Sequence, residues 1–118
     1  MNDFIAYIEY TNTAVSVESE VIPDEFSLEQ NYPNPFNPIT RIKYTLIRSG
    51  DVSLTIYNLL GKEVIRLVDG YQPAGEYNIS WDAANLASGI YFYRLQALTT
   101  SSGQAGEFVL TRKMVLLK

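Results

Sequence analysis

Apolar and polar residues alternate with a period of two in short segments broken by turn residues, and this constrains the chain more than any other feature. "RIKYTL" (41–46) sets Ile42, Tyr44 and Leu46 on one face and Arg41, Lys43 and Thr45 on the other. "DVSLTIYN" (51–58) repeats the device with Val52, Leu54 and Ile56, and "EYNISW" (76–81) with Tyr77, Ile79 and Trp81. Side chains on a strand point alternately to opposite faces, so such runs are half-buried strands. "EVIRLV" (63–68), the aromatic "IYFYRLQAL" (90–98) and "GEFVLTRKMVLLK" (106–118) complete the set. Between them lie "NLLGKE", with Gly61 at the position of positive φ, "DGYQPAG" (69–75), ending on Gly75, "DAANLASG" (82–89), closed by Ser88-Gly89, and "TTSSGQA". Six or seven short strands without helical periodicity predict an all-β, antiparallel β-sandwich of immunoglobulin-like type. The last strand carries apolar residues in both phases, which predicts that both its faces are partly buried or that it bends at a bulge.

One segment cannot be an ordinary strand. "NYPNPFNPIT" (31–40) holds Pro33, Pro35 and Pro38, none of which donates to a ladder. Asn34 and Asn37 each precede a proline, which favours turns, and the fixed φ angles make the segment stiff before it packs. Its expected role is to hold shape, with the rings of Tyr32 and Phe36 both inserted beneath it. Trp81, Tyr77, Tyr91 and Tyr93 alternate with polar neighbours and are expected in the core rather than on a sugar-binding platform. Tyr57 and Phe92 fall on the opposite phase and are the candidates for an exposed contact surface.

The charge divides the chain. Residues 1–29 carry seven acids (Asp3, Glu9, Glu18, Glu20, Asp24, Glu25, Glu29) and no base, so residues 30–118 hold all nine bases against the remaining six acids. The shift marks a boundary, with 1–25 an acidic linker or the end of a preceding domain and 26–118 the sandwich. Residues 4–10, "FIAYIEY", read as a strand of either neighbour, and the start has no basic stretch or cleavage site of a secretory signal. An excess of three bases without a cluster is no nucleic-acid footprint, and no apolar run is long enough to span a membrane.

The chemistry available is thin. With no cysteine and no histidine, the usual nucleophile–base pairs and the commonest metal ligands are missing. Asp51, Asp69 and Asp82 sit at predicted strand–loop junctions, where aspartate caps turns. Neither a phosphate-binding glycine loop nor a calcium-loop spacing occurs. The "NIS" sequon places Asn78 in a strand, facing outward. No enzyme activity and no cofactor are expected.

Read in order, the motifs identify a family. "FSLEQNYPNPFNPITRIKYTL" (26–46), "VSLTIYNLLGKEVIRLVDG" (52–70), "AGEYNISWDAANLASGIYFYRL" (74–95) and "RKMVLLK" (112–118) closely resemble the C-terminal sorting domain of proteins exported by the type IX secretion system. That domain is in turn similar to the immunoglobulin-like domain of the flagellar hook-capping protein. The motif residues are Tyr32, Pro33, Asn34, Pro35, Phe36, Asn37 and Pro38, then Gly61, Gly75, Trp81, Gly89 and Tyr91. Asn58 departs from the family's usual aspartate, and both residues cap turns.

The resemblance implies a non-catalytic address label and anchor, covalently linked to an upstream cargo domain. Its partners would be the type IX machinery and its outer-membrane receptor and sortase, and its destination the cell surface or medium, by way of periplasm and outer membrane. The segment expected to be read is Arg112, Lys113, Met114, Val115, Leu116, Leu117 and Lys118, by strand addition to an accessible terminal edge. Lysines that merely block aggregation are the plain alternative there. A passive extracellular module, carbohydrate-binding or spacing, and a hook-cap-like scaffold are the competing functions.

Overall fold

The structure, a computed structural model, describes residues 25–101 and 104–118, with side chains for 25–99 and 106–118. The strand-like run 4–10, nearly all of the acidic segment and the tip of the 99–105 turn lie outside the described residues. Within them are seven strands: β1 (Ser27–Leu28), β2 (Ile39–Leu46), β3 (Gly50–Tyr57), β4 (Glu63–Gln72), β5 (Gly75–Asp82), β6 (Gly89–Ser101) and β7 (Gln104–Leu116). They form two antiparallel sheets, β1-β2-β5 and β4-β3-β6-β7, packed as a sandwich. No helix among the described residues is long and apolar enough to cross a membrane.

The alternation of the sequence becomes the two inner faces. Ile42, Tyr44 and Leu46 from β2 meet Val52, Leu54 and Ile56 from β3 and Tyr93, Leu95 and Ala97 from β6, all buried. Trp81 and Tyr91 are buried in T-shaped contact, 6.4 Å between ring centroids, while Tyr77 is half-buried and stacks on Tyr44. Tyr57 and Phe92, paired across β3 and β6, are half-buried on the outer face, where the Arg94 guanidinium donates to the Tyr57 hydroxyl (2.6 Å) and lies 5.0 Å from its ring.

Two expectations need correction. The 69–75 segment is not all loop: β4 continues through Asp69–Gln72 because each residue finds a partner on Gly50–Ser53, leaving Pro73 and Ala74 as the turn. Asp82 does cap its turn, accepting from the Ala84 N–H (2.9 Å), but Asp51 and Asp69 stand inside strands, and Asp69 binds Arg66 at 3.5 Å. β7 is partly buried on both faces, as its two apolar phases require, since Val115 of the outer phase is half-buried, and it does not bulge. It pairs with β6 in unbroken register; Phe108, Leu110, Met114 and Leu116 share the inner phase, while Val109 and Leu117 face solvent. Arg112 takes an inner-phase position and donates from Nε to the Leu28 carbonyl of the facing sheet.

Two glycines are structurally required. Gly61 (φ 84°) closes the β3–β4 turn, where its N–H donates to the Asn58 carbonyl (2.9 Å). The Asn58 side chain accepts from the Leu60 and Lys62 N–H groups (3.0 and 2.9 Å), so asparagine serves as well as aspartate here. At Gly50 the β3 and β6 backbones approach so closely that a Cβ would lie 2.3 Å from the Leu98 carbonyl oxygen. Gly50→Ala therefore overpacks an unyielding backbone and is expected to destabilise the domain by about 1–3 kcal/mol, read as a lower denaturant midpoint.

Burial also fixes an alkaline limit. Removal from water pushes the Tyr44 hydroxyl up to about 12, helped by Tyr77 and opposed by its bond to Gln72. Burial pushes Tyr93 up to about 12 as well, against the Asn31 N–H and the charge of Arg112. Each phenol keeps its proton more tightly when folded than in the unfolded chain, where it titrates near 10. Their contribution to stability is therefore complete below pH about 10 and falls as pH rises towards 12, by on the order of 1–2 kcal/mol for each tyrosine. Unfolding midpoints measured from pH 8 to 12 should show that decline, and Tyr44→Phe should lessen it; a flat profile would contradict the assignment.

Candidate recognition site at the C-terminal strand

The stiff segment 29–38 and the last strand, distant in sequence, lie side by side. Asn31 is the anchor. Only 2% exposed, it donates its N–H to the Tyr93 hydroxyl (2.8 Å), which itself donates to the Glu29 carbonyl (2.7 Å). Asn31 Nδ2 reaches Thr40 Oγ1 (3.0 Å) and the Pro33 carbonyl (3.2 Å), and its Oδ1 accepts from Gln30 Nε2 (2.7 Å). Thr40, also buried, donates to the same Pro33 carbonyl (2.9 Å). Each buried polar group is thus satisfied, the condition for burying it without a large cost. Sequence reasoning missed Asn31 because the partner that draws it into the core, Tyr93, lies 62 residues along the chain and leaves no local spacing.

From this anchor the prolines form a strap along β7. The Tyr32–Pro33, Asn34–Pro35 and Asn37–Pro38 peptide bonds are cis. Phe36 inserts, 2% exposed, with its ring 5.9 Å from that of Trp81; Tyr32 does not, being 80% exposed. The expectation that both rings pin the strap is corrected to Phe36 alone, because the pairing of Tyr32 with Arg41 turns its side chain to solvent. Pro33, Asn34, Pro35 and Asn37 are exposed and Pro38 is half-buried, its carbonyl accepting from the Ala83 N–H (2.9 Å).

The expected free edge is closed at this point. Phe36 N–H donates to the Val115 carbonyl (2.9 Å) and Leu117 N–H to the Phe36 carbonyl (3.0 Å), a short parallel bridge. Asn34 Oδ1 accepts from Val115 N–H (3.0 Å), and Gln30 Nε2 donates to the Lys113 carbonyl (2.7 Å). Backbone groups already paired cannot template another strand, so strand addition at 113–117 requires the strap to leave.

The seven C-terminal candidates divide by environment. Met114 and Leu116 are fully buried, and Val115 is half-buried. Lys118 Nζ donates to the Ala84 and Leu86 carbonyls (2.7 and 2.8 Å), and its N–H to Ser88 Oγ (2.9 Å). Lys113, Leu117 and much of Arg112 are exposed. Of the remaining motif residues, Gly75 and Gly89 open β5 and β6, and the Tyr91 hydroxyl donates to the Ala87 carbonyl (2.8 Å). Phe36→Ala should cost about 3–5 kcal/mol, as for a buried aromatic, whereas Tyr32→Ala should change stability by less than about 0.5 kcal/mol. Chemical denaturation of the two variants side by side measures the difference, and equal losses would refute the one-ring strap.

A family model described as the secretion system C-terminal sorting domain matches residues 30–105. Neither a curated protein nor a solved structure gives a match. The matched residues begin within the strap, take in β2 through β6 and end at the start of β7, so that 106–118 lie beyond them. They include the anchor Asn31, the plug Phe36, the Asn58–Gly61 turn and the Trp81–Tyr91 contact. With more than half its length matched, the chain belongs to the family of C-terminal sorting domains that direct type IX secretion.

Proposed function

We propose that residues 26–118 act as a non-catalytic label and anchor, read by the type IX machinery at the outer membrane and joined through the acidic segment 1–25 to a cargo domain. The receptor and sortase of that machinery are its partners, and the cargo travels through the periplasm to the cell surface or the medium. The family match over 30–105 carries this reading. The segment read is 112–118, and the environments of its side chains favour recognition of a folded surface. Met114 and Leu116 are committed to the core and Arg112 and Lys118 bond to carbonyls of the domain, which leaves Lys113 and Leu117 as the exposed side chains most open to a receptor.

Fusing residues 26–118 to a signal peptide and a fluorescent reporter in a type IX-competent bacterium tests the reading. Reporter is expected outside the cell, and removing 112–118 should hold it in the periplasm. Because that deletion also removes two core residues, the sharper variant is Lys113→Glu with Leu117→Ser. It should cut export several-fold, on the order of 1 kcal/mol of lost recognition, with the melting temperature nearly unchanged. Reporter that stays periplasmic even with the complete domain would overturn the sorting function. Undiminished export of the double variant would reject the surface reading of 112–118 alone.

A further inference from the structure

The β3–β4 turn presents an arrangement that sorting does not explain. Leu59 and Leu60, adjacent in sequence, are 64% and 91% exposed at its tip. They are not on a loose loop. Asn58 N–H donates to the Lys62 carbonyl, Gly61 N–H to the Asn58 carbonyl, and the Asn58 side chain accepts from two further N–H groups within the turn. Isolated exposed leucines need no explanation, but two held outward together by a rigid turn lose the chance to bury each other. A shallow groove of about 250 Å³ runs from them to Ser88, Gly89, Ile90 and Tyr91. Ser88 binds the Lys118 N–H, which brings the exposed Leu117 and the Lys118 ammonium to the same end of the sandwich.

The charges separate along the molecule in the same sense. By strand register, the half that carries this tip holds Arg41, Lys62, Arg66, Arg94, Arg112, Lys113 and Lys118 against Glu63 and Asp82. The opposite half holds Arg48 against Glu25, Asp51, Asp69, Glu76 and Glu107, while Lys43 and Glu29 sit level with one another at the waist. Of the acids near the tip, Glu63 binds Arg66 at 3.3 Å and Asp82 caps its own turn. Lys62, Lys113 and Lys118 pair with no described carboxylate. A convex apolar tip on the basic half of the sandwich complements a surface that is anionic outside and hydrocarbon beneath.

We infer that the Leu59–Leu60 turn is a membrane-docking tip, which inserts both leucines into the interface of an anionic lipid surface while the basic half of the sandwich faces the headgroups. Buried apolar area and attraction to anionic lipid are the two terms that hold a peripheral element on a bilayer, and both are present here. The acidic half then points away from the lipid, which orients the domain as well as holding it. This surface lies beside the 112–118 segment but stands independently of the sorting function, because vesicle binding needs no secretion machinery.

Co-sedimentation of residues 26–118 with phosphatidylglycerol/phosphatidylcholine vesicles, and with phosphatidylcholine alone, tests the inference. Binding is expected on the anionic vesicles, weak on the neutral ones, and falling as salt is raised from about 50 to 500 mM. Leu59→Ser with Leu60→Ser should weaken it roughly ten-fold or more, the loss of two buried apolar side chains. Lys62→Glu with Lys113→Glu should weaken it on anionic vesicles only, and Leu98→Ser, an exposed leucine of the opposite half, should not. All these positions are exposed, and thermal melts confirm that each variant is folded. Absence of sedimentation up to about 5 mM anionic lipid would overturn the proposal and leave the tip as a protein-contact surface. Binding indifferent to the paired leucine substitutions would overturn it too. Reporter held in the periplasm by the unaltered domain, with normal vesicle binding, would count against the function proposed above without touching this one.

Discussion

The Tyr93 hydroxyl holds together parts of the molecule that lie more than sixty residues apart in the sequence. It rises from the centre of β6, wholly buried, accepts the Asn31 N–H and donates to the Glu29 carbonyl. Those two bonds position the start of the strap over the sandwich. Phe36 can then reach the Trp81 ring, and the strap backbone comes level with Val115 and Leu117. A phenylalanine at 93 would leave a buried N–H and a carbonyl without partners, which costs more than the bonds themselves contribute. The hydroxyl's reluctance to ionise follows from the same burial.

A two-sheet sandwich has exposed edges by construction, and this domain treats one of them differently from the rest. The β7 edge is covered over Lys113–Leu117 by a segment that is not a strand, with prolines where donors are unwanted and Gln30, Asn34 and Phe36 supplying the bonds that are needed. Arg112, reaching from β7 to Leu28, and the stacked Phe26–Phe108 pair fasten the same side of the sandwich further along. The terminal segment is therefore held in place along most of its length while its outward side chains remain displayed.

Much of this was legible in the sequence. β2, β3, β5 and β6 fall where the alternation put them, because one-sided burial writes a period of two directly into the residue order. Gly61 and the Asn58 cap were legible for a similar reason, since turn chemistry is local. The Asp69–Gln72 half of β4 was not: Asp and Gly read as turn residues, and only pairing with β3 makes them a strand. Phe36 and Tyr32 looked equivalent, and the choice between them rests on which face of the Tyr32–Arg41 bridge meets the core. Closure of the β7 edge left no trace at all. Its central bonds join main-chain atoms of Phe36, Val115 and Leu117, and no residue type announces a main-chain contact some eighty positions away.

The orientation of that contact bears on how the domain carries load. At Phe36 and Leu116 the strap and the last strand run parallel, not antiparallel. Tension applied between the chain ahead of the strap and the chain beyond Leu117 pulls two parallel segments in opposite directions along their length. The bonds of Phe36 to Val115 and Leu117 are then loaded together, in shear, rather than opened one after another from an end. Behind them the buried Phe36 ring must also be drawn past Trp81. The strap is thus a clasp that loads in shear, standing behind the β1 pairing and the Asn31–Tyr93 bond that a pull from the N-terminal side meets first.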